Sequence, residues 1–543
     1  MILSYCYGIN NLSLSYTLNE TKVEGGKQKM KKKKLKKGNE GITLVALVVT
    51  IVVLLILAGI SLNLVLGQNG IISRAQDARN QTAEGKTNTE KAINALTDEM
   101  EAYVKENEGG SGNNGGNNGG NSGNGTATEK PETTTTDTSV SFSTAYGRID
   151  VVWLDKNNNV ISNPLEPVMM SGMTKVAWNG TTEITPSTNA EWYSYTAQTG
   201  TTDGKTSKWA NAKNDGSYFV WIPRYAYRIT YYSSQSSTDA TGYYDGFGMW
   251  SATDKKVKYA LDTGAKTVVS NGKSYIVHPA FETDINLGGW DSQLSGIWVA
   301  KYEMSMETNG SHTETGSSSV GNVTTSSTVK AVSKPNVSSW RNINIGNSYT
   351  NSYNYDRDKE SHLMKNSEWG AVAYLTQSQY GRNGNEITIN GSSSYITGTG
   401  GVEASTTGNL YGIYDMSGGA WERVAAFNDT DSNNYETTYG SSFAGTAKAS
   451  TKYATKYSNN STTNSGTLLY TVGKTGDSTK EVYTGSGTAN WFSDYSYFLC
   501  SSYPFFARGG YYVNGSNAGV FGSGNANGSD SSYYSFRVVL AGV

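Results

Sequence analysis

Cysteine, histidine, proline and charge are all scarce in this chain of 543 residues. Its two cysteines, Cys6 and Cys500, exclude a disulfide-stapled scaffold, and with only three histidines they leave too few ligands for a Cys/His zinc centre. Eight prolines exclude a proline-rich fibre. Charged residues make up 17%, below the roughly 25% usual for soluble domains. Lys+Arg (44) nearly balance Asp+Glu (46), so the net charge of -2 points to no nucleic-acid partner. Gly (62) and Tyr (38) abound instead, and the polar surface must be built largely from Ser, Thr, Asn and Tyr.

The near-zero total hides segregation along the chain. Residues 1–41 hold nine lysines and three glutamates, a net of +6, which leaves 35 basic against 43 acidic groups, or -8, for the rest. Within that leader, KQKMKKKKLKK (Lys27 to Lys37) has eight lysines in eleven positions and must sit in solvent or against an anionic surface. Ile42 to Leu66 then runs 25 positions without a charge. As a helix it spans ~37 Å, enough for a bilayer core of roughly 30 Å. Lysines on one flank, with Arg74 and Asp77 beyond the other, predict a cytoplasmic N-terminus and an extracellular body at the cell surface.

The expected plan is a basic leader at 1–41, a transmembrane helix at 42–66, an extracellular helical stalk at 67–106 and a disordered linker at 107–138. Ile71, Ala75 and Ala78, then Ala92, Ile93, Leu96, Met100, Tyr103 and Val104, recur at near-helical spacing in the stalk, with Gly67 and Gly70 as a bend. GGSGNNGGNNGGNSGNG and the Thr-rich run after it cannot bury enough apolar surface to fold. Such a linker reaches ~30 Å and lets whatever follows reorient.

The junction KKGNEG-ITLVALVVTI resembles the prepilin-type cleavage and methylation signal of type IV pilins and type II secretion pseudopilins. That resemblance implies cleavage between Gly41 and Ile42 by a prepilin peptidase, and pilin subunits as partners. The family's usual glutamate at the fifth mature position is replaced by Ala46, which removes the carboxylate that would neutralise a neighbouring N-terminus in lipid. A plain, unprocessed signal anchor is the alternative. A cleavable secretory signal fits less well, because the apolar run exceeds ~7–15 residues and no A-x-A site follows it. Met30 heads MKKKKLKK and is an alternative start; Cys6 is lost from the mature chain either way.

Beyond Val140 short runs rich in Tyr, Trp and Val alternate with Gly, Asn, Ser and Asp. GRIDVVWLDKNNNVI reads as strand, Asn turn, strand; YFVWIPRYAYRITYY, IWVAKYEM and SFRVVL read as further strands. Only Ser361 to Gly381 is clearly helical, with Leu363, Trp369, Val372, Ala373 and Leu375 spaced for one buried face. The expectation is a small β-rich region at 139–216 followed by a mixed α+β domain with long loops at 217–543.

Seven segments in order resemble the formylglycine-generating enzyme (sulfatase-modifying factor) superfamily, whose core is C-type-lectin-like. They are FVWIPRYAYRI, IWVAKYEMS, KPNVSSW, HLMKNSEWGAVAYL, LYGIYDMSGGAWERV, FFARGGYYVNG and YSFRVVLA. The family binds calcium at the positions matching Asp415, Gly418, Ala420 and Glu422. Two carboxylates and two carbonyls at a Gly-rich turn are the oxygen set a hard cation takes. The alternative has Asp415 capping the backbone and Glu422 pairing with Arg423 or another cation. Trp369 and Trp421 read as core residues.

The family's oxidase chemistry needs a copper-binding cysteine pair after R-G-G, but here those positions are Asn514 and Gly519, so neither copper nor catalysis is expected. Cys500 lies before the motif in apolar FLCSSYPFF, where an inert buried role is expected. His278, His312 and His362 are scattered and form no catalytic constellation.

Between FFARGG and SFRVVL the stretch Tyr511 to Tyr534 is almost wholly Tyr, Asn, Ser, Gly, Asp and Ala, the chemistry of an antibody-like contact surface. An ordinary polar loop tip is the alternative. Four tyrosines would crowd one face if the ends pack together. The layout resembles variable proteins of diversity-generating retroelements, which place substituted residues near the C-terminus of this lectin-like fold. The predicted contact residues are Tyr511, Tyr512, Asn514, Asn517, Asn525, Asn527, Asp530, Tyr533 and Tyr534. Three functions compete: a membrane-anchored display protein binding an extracellular glycan or protein, a structural minor pilin or pseudopilin, and a modifying enzyme that the missing thiols disfavour.

Overall fold

The computed structural model describes residues 147–198, 205–231, 244–245, 261–309, 311–312, 322–323, 328–429, 434–458, 473–482 and 490–542. The leader, the junction at Gly41 and Ile42, the apolar run, the stalk and the linker lie outside them. Among the described residues no helix is long and apolar enough to cross a membrane.

The strands are β1 (Gly147–Leu154), β2 (Val160–Ile161), β3 (Thr174–Asn179), β4 (Thr182–Ile184), β5 (Asn211–Asn214), β6 (Ser217–Pro223), β7 (Tyr225–Tyr231), β8 (Tyr244–Asp245), β9 (Thr267–Ser270) and β10 (Lys273–Val277). They continue as β11 (Gly296–Ala300), β12 (Ser305–Thr308), β13 (Ser311–His312), β14 (Val329–Val332), β15 (His362–Leu363), β16 (Trp421–Asp429), β17 (Thr455–Ser458), β18 (Phe505–Arg508), β19 (Ser523–Ala526), β20 (Tyr534–Phe536) and β21 (Val538–Leu540). The two longest described helices are α1 (Ile345–Tyr353) and α2 (Asn366–Gln377). The architecture is therefore mostly β-sheet with few helices.

One sheet runs β2-β1-β7-β10-β9, with β8 on β7; a second runs β15-β21-β11-β6-β5-β3-β4. A small sheet, β13-β12-β14, and a fourth, β17-β16-β18-β19 with β20 on β16, complete the set. In the first sheet the pairs Ile149 with Ile229, Val151 with Tyr227 and Trp153 with Tyr225 stand on one face, all in the main core cluster. That is the period-2 pattern of a half-buried strand pair, and the turn after β1 places Asn158 at φ 66, a left-handed position asparagine tolerates.

The second sheet is covered on both faces, which explains why β6 and β11 read as unbroken apolar runs. Val220, Ile222, Ile297 and Val299 join the core around α2, whereas Phe219, Trp221, Trp298 and Ala300 join a second core that includes Ile345 and Tyr349 of α1. The expected boundary at 216/217 falls inside the β5–β6 hairpin, where Asn214 pairs with Ser217. Residues 147–214 are thus part of the same sheets, not a separate β-rich region. Strand pairing overrides a boundary placed where the family resemblance begins.

α2 also differs from expectation. All twelve of its residues are buried, so it is a central helix without a solvent face. Its start is fixed by Glu368, whose Oε2 accepts the Lys365 backbone N–H at 2.8 Å, and Leu363 belongs to β15 instead. Burial of His362, Lys365 and Glu368 is tolerable because they face one another: His362 Nε2 lies 3.0 Å and Lys365 Nζ 3.6 Å from Glu368 Oε1.

Candidate functional site

The segment after β18 turns sharply at Gly509 (φ 85) and Gly510 (φ 75). A β-carbon on Gly510 would sit 2.7 Å from Ala518, so the close return of the chain requires glycine there. A 3-10 turn, Tyr512–Asn517, leads to β19, and a loop through Asp530 leads to β20. Both ends of this segment dock on the Gly-rich turn before β16. The Tyr512 N–H donates to Gly419 O at 3.0 Å, and the Trp421 N–H donates to Tyr533 O at 2.9 Å.

That docking gathers the tyrosines. Ring centroids of Tyr511 and Tyr512 are 5.8 Å apart, Tyr511 and Tyr533 5.5 Å, and Tyr533 and Tyr534 4.8 Å. Tyr533 keeps 40% of its surface exposed. Tyr395 stands edge-on to Tyr512 at 5.1 Å and extends the face. Two buried arginines lie beneath it: Arg341 stacks on Tyr395 at 4.0 Å, and Arg423 on Tyr534 at 4.4 Å. Each also holds the loop backbone, Arg341 Nη1 donating to Ser532 O at 2.8 Å and Arg423 Nη2 to Ser529 O. Burial lowers the Arg423 guanidinium to about 10, which leaves it charged at neutral pH, and burial raises Tyr395 and Tyr534 to about 12, so their hydroxyls stay protonated.

The asparagines named from the sequence have another job. Asn514 Oδ1 accepts the Tyr511 N–H at 2.8 Å, Asn517 Nδ2 donates to Ser493 O at 2.9 Å, and Asn525 Nδ2 donates to Phe498 O at 2.6 Å. Asn527 Oδ1 accepts both the N–H and the hydroxyl of Ser529. These four shape the loop, while the tyrosines and exposed Asp530 form its outer surface. Tyr395 and Arg341 were not singled out from sequence. They lie more than a hundred residues upstream, and the only hint was the Ser/Gly/Tyr composition of GSSSYITG.

At the anticipated calcium positions the structure places a different cation. Arg537 Nε donates to Glu422 Oε2 at 2.8 Å and Nη2 donates to Oε1, occupying both carboxylate oxygens. Asp415 Oδ1 accepts from Asn390 Nδ2 at 2.8 Å and from the Gly398 N–H at 2.9 Å. Gly418 donates its N–H to Gly509 O, and the Ala420 N–H donates to Glu303 Oε1 at 2.8 Å. Among the described residues no group of three or more His, Cys, Asp or Glu is arranged to hold a metal ion. Both Glu422 oxygens accept from the guanidinium and Asp415 accepts from amide N–H groups, so in this structure the turn takes Arg537 as its cation.

Burial opposes the Arg537 charge, but Glu422, then Asp415 and Glu303, outweigh it and hold the guanidinium above its ordinary value. Three carboxyls cannot all ionise around one cation: burial first, then the charges of Asp415 and Glu422, drives Glu303 well above the usual carboxylate range. Gly419 (φ 68) is needed here, since a β-carbon would overlap the Glu303 carboxyl.

The two positions at which the resemblance looks for thiols have structural roles. A side chain at Gly519 would run into the Asp494 carboxylate, and Asn514 is the loop cap already described. Cys500 is buried, at 2% exposure. Trp369 is wholly buried, its indole N–H donating to Val520 O at 2.7 Å, and Trp421 is 8% exposed under Gly524. No protein-family model matches this chain, and no curated protein matches it significantly.

Proposed function

We propose that this chain is a non-catalytic cell-surface display protein, anchored by the apolar run at 42–66 with its N-terminus in the cytoplasm, whose lectin-like C-terminal domain binds an external glycan or protein. The observation that carries the reading is the convergence of Tyr511, Tyr512, Tyr533 and Tyr534 on one face, with Tyr395 beside them. Tyrosines supply large, amphipathic contact area while losing little side-chain entropy, and aromatic residues are what binding hot spots are built from. Anchorage of the loop backbone by Arg341, Arg423 and the four asparagines supports the same reading, because a pre-organised loop pays less ordering entropy on binding. The reading needs neither calcium nor copper.

The test is a glycan array and an array of extracellular proteins probed with the full chain in a non-glycosidic detergent. A parent protein that binds a defined member, where a Tyr511→Ser/Tyr512→Ser/Tyr533→Ser variant with an unchanged melting curve does not, supports the proposal. A variant that binds as the parent does defeats it.

A further inference from the structure

A concave surface that shares no lining residue with the tyrosine face lies between α1 and the loop at 442–453. It is a cleft of about 320 Å³ lined by Tyr349, Thr350, Tyr353, Ser442, Ala449 and Tyr453, with Ala447 at its edge. That volume is within the roughly 300–1,000 Å³ range of small-molecule sites. Tyr349 and Tyr353 lie nearly parallel, 15° apart with centroids at 6.0 Å, and Tyr453 stands at 82° to Tyr353 at 5.4 Å, so the rings make a floor and a wall. The floor is stiff: Phe443 stacks against Tyr349 at 4.8 Å and the Arg357 guanidinium against Tyr353 at 3.6 Å.

The polar groups of the cleft determine what it can accept. Thr350 Oγ1 and Ser442 Oγ both donate to one carbonyl, Gly346 O, at 3.0 and 2.9 Å. With their hydrogens committed, each can offer a ligand only lone pairs. A ligand that bonds these two hydroxyls must therefore donate to them. The nearby charges cancel among themselves: Glu360 accepts from Arg357 at 3.3 Å, from Lys452 at 3.0 Å and from the Tyr453 hydroxyl at 2.5 Å, and Lys452 also reaches Asp291 at 2.7 Å. Arg357 Nη1 is taken by Tyr353 O at 3.1 Å and Ser361 O at 2.6 Å. No net charge is left to attract an anion or a cation.

We propose that this cleft is a binding site for a neutral pyranose, whose apolar C–H face lies on the part-exposed Tyr353 and Tyr453 rings and whose hydroxyls donate to Thr350 and Ser442. The proposal does not depend on the tyrosine face. Its test is saturation-transfer NMR on the full chain in a non-glycosidic detergent, with the methyl glycosides of glucose, galactose and mannose, and with cyclohexanol and glucuronate for comparison. At least one methyl glycoside receives saturation at its ring protons. Ala447→Trp, at an exposed edge position, and Ala449→Trp, deeper in the wall, each weaken that binding about tenfold or more, while Tyr533→Ala leaves it unchanged. The proposal is overturned if none of the three glycosides receives saturation, if a melt-normal Trp variant binds as the parent does, or if cyclohexanol or glucuronate binds as well as the sugars.

Discussion

Glu481 shows how a single buried carboxyl couples this fold to pH. Its oxygens accept the Tyr227 and Tyr374 hydroxyls at 2.7 Å each and the Gly476 N–H at 2.6 Å. Burial first, then the Asp477 charge, pushes it from 4.5 to about 7. The folded state therefore binds this proton more tightly than the unfolded one. The associated stability is fully present below about 4.5 and is lost as pH rises through about 7. At 1.36 kcal/mol per pKa unit the loss is on the order of 3 kcal/mol. Glu481→Gln is expected to flatten the urea-unfolding stability between pH 5 and pH 8, with the variant at least as stable as the parent at the upper end. Arg537 acts in the opposite sense, since it keeps Glu422 from being a bare buried charge. Arg537→Met is expected to cost about 3–5 kcal/mol, and added calcium is expected to leave the parent's thermal midpoint unmoved. A midpoint that rises with calcium would contradict the assignment of Glu422 to Arg537.

At the scale of elements, the sequence revealed strands better than helices, for a physical reason. β1, β6, β7 and β11 are apolar runs punctuated by Gly, Pro or Asn, and each forms where the pattern places it. α1, INIGNSYTNSY from Ile343, has only Ile345, Tyr349 and Tyr353 at four-residue spacing among Asn, Ser and Thr, a short signal; it stands because Asn344 Oδ1 caps the Asn347 N–H at 2.8 Å and because Tyr349 packs on Phe443. α2 was visible as a helix, but its burial on every side was not, because Ser, Thr and Gly residues on its second face looked like a solvent side. Gly370 in that helix illustrates the difference. In an exposed helix Gly→Ala gains up to ~1 kcal/mol. Here the new β-carbon would overlap Gly476 O, so Gly370→Ala is expected to lower the melting temperature instead. A raised melting temperature would show that α2 is less tightly enclosed. The four tyrosines of the candidate site were legible because they bracket one stretch, whereas Tyr395 and Arg341 arrive through tertiary packing that no local pattern records.

For the whole molecule the charge ledger and the fold lead to one account. Residues 1–41 carry +6 ahead of the apolar run, and the remaining residues carry -8. If the proposed anchoring and cleavage hold, mass spectrometry of the membrane fraction is expected to find a mature N-terminus at Ile42; intact residues upstream would favour the uncleaved anchor. The central claim is that the tyrosine face is the ligand-contacting surface. Its most direct test is a binding titration, against a ligand selected on the arrays, of the parent beside Tyr511→Ser/Tyr533→Ser, with melting curves recorded for both. The account predicts affinity at least ~30-fold weaker in the variant, with coincident melts. Equal affinities, or a loss of binding only in step with a loss of fold, would contradict it.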